Sequence, residues 1–540
     1  MSKQTNQFKS IIGPAVLVAV YGVRAFSIDY YVDSEILNTK EYLYNWDSIG
    51  RFGLIWIKKL TGLDWINPYL EAVLFLAALC LLFFLTGRLF AEISRIGARA
   101  AGNTGNTADA ETGNSCTEGI LPGLCALIAL IFPTYGEQFL FRFQSFEIAL
   151  AMIFCVGAVL LLLDFGRTGR ICPFIASVPL LMLSFGIYQS MVPLVICLYG
   201  AVCLFISKKV PVKELLRTAL GAVIQFVCGF GLYELIAKLF YTDGDYLAGK
   251  MAWKTEAFDE CVEHIKAYVI NVLQSHSLFY PVTFAIALAV FAIAFIVSVV
   301  IVFLRLKQKI SAEVIVGLIA SFIGAAVVVS APFMLTVVLG SAQDFRAQLV
   351  LPFSIAVMWL FAMNVFTGLF DKETKESTDG KAENIPLIVT RIIATAGAVI
   401  FLVIQAAPLE RLFYTESVVA DGDRIVAEDL VTEISKHDTS KPVIIIGSLP
   451  ARTNASCYTT ADALTYQVIS VYSLDIDPEP RYFYSSNRIL GYFKTIGYEF
   501  TAPERDNMAE AYEVSNDMPS YPKDGCVLET DDIIVVKLNN

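Results

Sequence analysis

Charge is scarce in this chain, and histidine nearly absent. Of 540 residues only 17% are Asp, Glu, Lys or Arg, and three are His. A soluble globule is about a quarter charged, so the first shortage excludes an ordinary water-soluble enzyme. The second argues against a histidine-based metal centre: His264 and His276 have no ligand partners at a recognisable spacing, and His437 reads as a surface residue at a helix end. The eleven cysteines contain no CxxC and no metal-type spacing. Seven of them, Cys80, Cys125, Cys155, Cys172, Cys197, Cys203 and Cys228, fall in apolar segments, where Cys acts as a small hydrophobe. Cys457 and Cys526 lie in a polar region and can pair if it faces an oxidising side. No Walker loop, GxSxG, HExxH or dinucleotide fingerprint occurs, so ATP-driven transport and those hydrolase classes lose support.

What is abundant is apolar. Hydrophobic residues make up 56% of the chain and the mean hydropathy is +0.61. Repeated apolar runs of about 20 residues define a polytopic membrane protein, with the lipid bilayer as its surroundings. About eleven spans are expected, at roughly 10–27, 69–88, 118–134, 144–164, 171–188, 189–207, 216–238, 278–304, 312–338, 347–369 and 386–407. The first follows Lys3 and Lys9 without a small-residue cleavage site, and reads as a retained helix. The run from Ile171 to Ile206 is too long for one helix, so two tightly joined helices are expected, split at Tyr188-Gln189.

The net charge of −11 is segregated. One set of loops collects Arg88, Arg95, Arg99, Arg167, Arg170, Lys208, Lys209, Arg305, Lys307, Lys372 and Lys375 and is expected to be cytoplasmic. The opposite side carries two long acidic loops, about 28–68 and 239–277. Nucleic acid is excluded as a partner by this acidic balance. From about Glu410 the composition becomes that of a soluble domain. Two domains follow: a transmembrane unit, 1–409, and an extracytoplasmic α/β unit, 410–540. In the second, Ile425, Val426, Leu430 and Ile434 recur at helical spacing after Asp421, read as an N-cap. Pro442–Gly447 and Asp532–Leu538 read as buried strands, and Ser486–Ile496 as a helix.

The loop Ser27–Gly53 brings Asp29, Asp33, Glu35, Asp47 and Arg51 to one membrane surface. Carboxylates beside lipid are costly and mark a pathway or a reaction site. Asp33 and Glu35 are one residue apart, so in an extended loop they face the same way at about 7 Å. A pair of this kind suits glycosyl transfer, in which one carboxylate deprotonates an acceptor hydroxyl and the second orients it or binds a metal, Mg2+ or Mn2+. Arg51 offers a planar fork of donors to a leaving phosphate. A second polar set, Glu137, Gln138, Arg142, Gln144 and Glu147, sits among aromatics in Ile131–Glu147. If that stretch is one helix, Gln138 and Arg142 share a face. Tyr188 and Gln189, at the tight turn, can reach a sugar hydroxyl, and Arg346, beside Asp344, can reach a lipid phosphate.

The order of these motifs is ID-x-x-x-D-S-E, W-D-S-x-GRFG, NP, FP-x-x-x-EQF-x-FR-F-x-S and SFG-x-YQ. It resembles the polytopic, Gtr-type glucosyltransferases that convert O-antigen serotype in enteric bacteria, and their relatives in Gram-positive species. The resemblance implies a GT-C-type fold, an inverting transfer, a polyprenyl-phosphate-linked glucose donor and a cell-surface glycan or glycopolymer acceptor. It also implies reaction on the outer face of the bacterial cytoplasmic membrane, with Asp33 and Glu35 as the essential acids of the first outer loop. A donor of that kind calls for a polyprenyl-phosphate glucosyltransferase and a flippase in the same pathway. Two other readings compete. A lipid-linked sugar flippase or polysaccharide exporter should show paired repeats and acids along the spans, whereas this chain has no internal repeat and gathers its acids at one face. A membrane-anchored binding protein working through its C-terminal region would leave the two polar outer stretches without a role.

Overall fold

The computed structural model describes residues 11–27, 46, 49–65, 67–99, 117–206, 211–240, 251–305, 312–370, 385–459, 470–473 and 480–539. It is dominated by helices. In chain order these are α1 (Gly13–Phe26), α2 (Phe52–Thr61), α3 (Pro68–Arg99), α4 (Thr117–Leu130), α5 (Pro133–Leu140), α6 (Arg142–Thr168), α7 (Ile171–Ile187), α8 (Met191–Ile206), α9 (Val212–Phe240), α10 (Phe258–Gln274), α11 (Thr283–Arg305), α12 (Ala312–Ser330), α13 (Met334–Leu339), α14 (Val350–Phe370) and α15 (Ile385–Ile434). Among the described residues, seven stretches are long and apolar enough to cross a membrane, or eight if α4 and α5, which meet at a 53° bend, count as one broken span. The helices α1, α7 and α8 are apolar but shorter. Large apolar side chains stand exposed along α9, α11 and α12, among them Leu220, Val227, Ile293, Ile296, Ile319 and Phe322. Faces of that kind require an apolar solvent, and helices are the spanning form that satisfies its own backbone there.

The interior is a bundle in which α6 packs on α3 and α7, α8 crosses α12, and α14 packs on α11. Close crossings use small residues. A Cβ on Gly324 of α12 would lie 2.6 Å from the Leu204 amide nitrogen, and one on Gly53 of α2 would lie 2.9 Å from the carbonyl carbon of Gly186 on α7. Small residues let backbones approach where lipid supplies no hydrophobic push. The Gly53–Gly186 approach joins the GRFG and SFG motifs directly. The split at Tyr188-Gln189 is where α7 ends and α8 begins.

One condition raised by the sequence is not met, and one expectation changes. Ile131–Glu147 is not one helix: α5 ends at Leu140, Phe141 leaves the helical region at φ −72°, ψ 76°, and α6 opens at Arg142. Gln138 and Arg142 therefore sit on different helices rather than on one face. Asp421 caps nothing, since it lies inside α15, a continuous helix of 50 residues. The composition change near Glu410 falls within that helix as well. At 1.5 Å per residue α15 is about 75 Å long, against a bilayer core of about 30 Å, so it is more than twice as long as one membrane crossing requires.

Beyond α15 the chain forms a three-stranded sheet in the order β1 (Val443–Ile446), β3 (Ile534–Lys537), β2 (Val527–Glu529), with β1 parallel and β2 antiparallel to β3. Val443, Ile445, Ile534 and Val536 pack with Leu430 and Ile434 of α15 and with α16 (Phe483–Thr495); Ile444, Ile446 and Val535 pack with Met508 and Ala511 of α17 (Asn507–Asp517). Both faces are covered at β1 and β3, which is why those two strands read as apolar runs instead of alternating ones. Cys457 and Cys526 are not bonded to each other in this fold.

Gly53→Ala should lower stability by about 1–3 kcal/mol, since the added methyl meets backbone that cannot swing aside. Gly231→Ala on α9, where no atom lies within 4 Å, should leave it unchanged or slightly raised. Thermal unfolding of both variants in lipid nanodiscs checks the contrast.

Candidate active site at one end of the bundle

The polar side chains collect at one end of the bundle, where α1 and α7 finish and α3, α6 and α8 begin. Asp29, Asp33, Glu35 and Asp47 of the sequence-derived set lie outside the described residues. Both flanks of the segment that holds the first three are in view. On the entry side, Ala25 of α1 accepts a 2.5 Å hydrogen bond through its carbonyl from Arg142 Nη2. On the exit side, Arg51 donates from Nη1 to Gln144 Oε1 at 3.1 Å, and its guanidinium lies 4.8 Å from the Tyr188 ring centroid. Arg142 and Gln144, two residues apart in the FR-F-Q motif, thus hold one flank each.

Tyr188 and Gln189 do not simply close their own turn. The Gln189 side-chain amide donates to the Ile49 carbonyl at 2.8 Å and to the Tyr233 hydroxyl at 3.1 Å. Gly50, with φ 75°, sits against both partners, which gives the turn before Arg51 its shape. The turn dipeptide is therefore tied to the W-D-S-x-GRFG loop rather than standing free.

Beneath this lies a layer of charge that the sequence reading passed over. Lys58 of α2 is 2.9 Å from Glu147 of α6, with side chains 1% and 0% exposed. Glu71, one turn into α3, accepts the Phe146 amide at 3.1 Å. Lys58 Nζ also faces the Trp46 and Phe143 rings at 5.6 and 5.8 Å. Burying such a pair costs desolvation that only close partners offset, and removing one partner costs about 3–5 kcal/mol. Glu147 belonged to the sequence-derived polar set; Lys58 and Glu71 did not. The available signal was an ionisable residue within a turn or two of the end of an apolar run.

On α5, Glu137 is buried and accepts the backbone N–H of Arg346 from the 3₁₀ turn Phe345–Ala347. Arg346 pairs with Asp344 at 3.1 Å and lies 4.7 Å from the Phe141 ring centroid, so it is engaged rather than held out to lipid. Gln138 and Thr134, one turn apart on the same face of α5, are 1% and 0% exposed. Among the described residues, Gln138 Oε1 and Thr134 Oγ1 have no hydrogen-bond partner. Buried polar atoms left in that state are rare and require an explanation; polar groups of a bound ligand would provide one. The described residues include no group of three His, Cys, Asp or Glu side chains that could hold a metal ion.

A family model for glucosyl transferase GtrII matches residues 22–370, more than half of the chain and all of the site residues named so far. No curated protein and no solved structure matches the chain. With the motif-bearing helices gathered at one end of an apolar bundle, and with this match over most of that bundle, the chain belongs to the GtrII family of glucosyl transferases.

Proposed function

We propose that the protein is an inverting glycosyltransferase of GT-C type that takes a sugar, glucose by its family, from a polyprenyl phosphate donor and passes it to a glycan or glycopolymer. The observation that carries this reading is the pinning of both flanks of the Asp-x-Glu segment by one motif. Arg142 holds the Ala25 carbonyl, and Gln144 holds the Arg51 guanidinium. The segment that bears Asp29, Asp33 and Glu35 thereby enters and leaves beside the cationic cluster.

In the proposed reaction Asp33 takes the proton of an acceptor hydroxyl. The freed oxygen attacks the anomeric carbon from the face opposite the phosphate. The bond from that carbon to the phosphate oxygen breaks, and its electron pair leaves on the phosphate. Glu35 orients Asp33, and Asp29 and Asp47 border the same loop. The Arg51 guanidinium, oriented by Gln144 and Tyr188, meets the leaving phosphate. Mg2+ or Mn2+ held by Asp33 and Glu35 would supply a similar counter-charge. Thr134 and Gln138 offer their buried oxygens to sugar hydroxyls, with Glu137 and Arg346 bordering them. A pathway supplying this donor contains a polyprenyl-phosphate glucosyltransferase and a flippase. The spans number about eleven in this reading, with the N-terminus cytoplasmic and the region after α15 outside, on the bacterial cytoplasmic membrane.

Three outcomes are expected. Purified protein given radiolabelled polyprenyl phosphate glucose and acceptor-bearing membranes should release the sugar from the lipid. Asp33→Asn should cut that turnover by about 10² to 10⁴, with Glu35→Gln costing less. Intact label in every preparation would end the transferase reading, and normal turnover in Asp33→Asn would move the base elsewhere.

Removing the two buried oxygens separates binding from stability. Thr134→Val and Gln138→Leu should not lower the unfolding temperature, because each deletes an unpaired polar group. Each should weaken donor binding by about tenfold, the worth of one hydrogen bond. Titration of the donor alongside a thermal scan shows whether the two effects part.

An alkaline phosphatase fused after Asn540 should be active and a cytoplasmic reporter at the same place silent. The reverse pattern would invert the proposed orientation.

A further inference from the structure

We infer that Glu416, which lies 46 positions beyond the end of the family match at residue 370, is a positioning residue of the transferase site and acts through Arg24. Arg24 is the last basic residue of α1 and is 4% exposed. Its Nε lies 2.7 Å from Glu416 Oε2 on α15, whose side chain is 1% exposed. From Nη2 it donates to the Leu140 carbonyl at 3.0 Å, and from Nη1 to Ser27 Oγ at 3.3 Å. One guanidinium therefore joins three elements: the end of α1, the last carbonyl of α5, and α15.

The α5–α6 break is where this matters. Leu140 ends α5, and two residues later Arg142 donates back to the Ala25 carbonyl. The ends of α1 and of the break are stitched in both directions, Arg24 to Leu140 and Arg142 to Ala25. Glu137, Gln138 and Thr134 lie before the break; Arg142 and Gln144 lie after it. The angle at the break sets the distance between these two halves of the site. A guanidinium this deep needs a counter-charge to stay turned towards a neutral carbonyl, and Glu416 supplies it.

The remainder of α15 reinforces the geometry. Leu409 and Leu412 rest on Gly136 of α5, where a Cβ would meet their methyl groups at 2.8 and 2.7 Å. Phe141 at the break packs with Val419 of α15 and with Ala451 beyond it. Arg411 donates to the carbonyls of Ser456 and Cys457, and the Tyr458 amide donates to Thr415 Oγ1. The part of the chain outside the family match thus forms one wall of the break, and Glu416 is its charged contact.

The activity consequence rests on the transferase reading; the coupling itself does not. The experiment uses full-length protein in nanodiscs: wild type, Glu416→Gln, Glu416→Asp and the double variant Arg24→Gln/Glu416→Gln. Hydrogen–deuterium exchange is followed in peptides covering 133–146 and in the sheet peptides 443–446 and 534–537. Glucose release from polyprenyl phosphate glucose is measured alongside. Glu416→Gln should raise exchange in 133–146 and leave the sheet unchanged. It should lower kcat by about 10- to 100-fold, the scale of an ångström-sized misplacement, with donor KM within a few-fold. Glu416→Asp, which keeps the charge, should recover most of kcat. The double variant, which removes both members of the Arg24–Glu416 pair, should restore protection in 133–146 more than it restores kcat. Unchanged exchange and kcat in Glu416→Gln would overturn the proposal. So would an equal rise of exchange in the sheet, which marks general destabilisation. If wild type releases no glucose, the transferase reading falls, while the exchange data still decide the coupling.

Discussion

A charge inside an apolar bundle must be met by another, and at the polar end of this protein that constraint decides which helices touch. Lys58 with Glu147 fixes α2 on α6, and Arg24 with Glu416 fixes α1 on α15. Glu71 ties the start of α3 to the start of α6 through the Phe146 amide. None of these contacts would repay desolvation alone. Together they leave few ways to arrange these five helices without stranding a charge. Hydrophobic packing brings the helices together, and lipid competes with it on equal terms. The charged contacts choose the arrangement.

The arrangement puts function where the ladder of backbone hydrogen bonds is interrupted. The α5–α6 break, the turn between α7 and α8 and the turn before α2 all open on the same end. Backbone carbonyls left open at this end are met by side chains from other elements: Ala25 by Arg142, Ile49 by Gln189, Leu140 by Arg24. Interrupted helices are tolerated at membrane depth where protein or a water-lined cavity takes up the freed groups.

Much of this was legible in the order of residues, and the limits have physical causes. Apolar runs gave away the helices because lipid demands length and composition together. The GRFG and SFG motifs were visible as motifs, yet only the fold shows that Gly53 and Gly186 are each other's reason for being small. The break at Phe141 could not be read locally. It is held by Ser145 Oγ donating back to the Phe139 and Phe141 carbonyls and by Arg24 from far along the chain. Lys58 and Lys59 are neighbours with equal propensities; the partner Glu147, 89 positions on, decides which is buried. Asp421 reads as a cap because the composition turns soluble just before it, although the helix continues through it. The chain had been helical since Ile385, and Pro408 is carried inside it while Leu409 and Leu412 are fully buried.

The short helices change the lipid around the site. Over the described residues, α1 with the helical Ile11 and Ile12 before it has 16 residues and α7 has 17, which reach about 24 and 26 Å, less than the hydrocarbon core of about 30 Å. Both expose apolar side chains, Val18 and Val23 on α1, Ile171 and Ile175 on α7. A bilayer meeting such elements thins to match them. Both helices finish at the charged end, so headgroups are drawn inwards beside Arg51 and Arg142. The depth of a lipid phosphate there is then set partly by hydrophobic mismatch, and acyl-chain length becomes a variable of the same rank as the side chains that meet it.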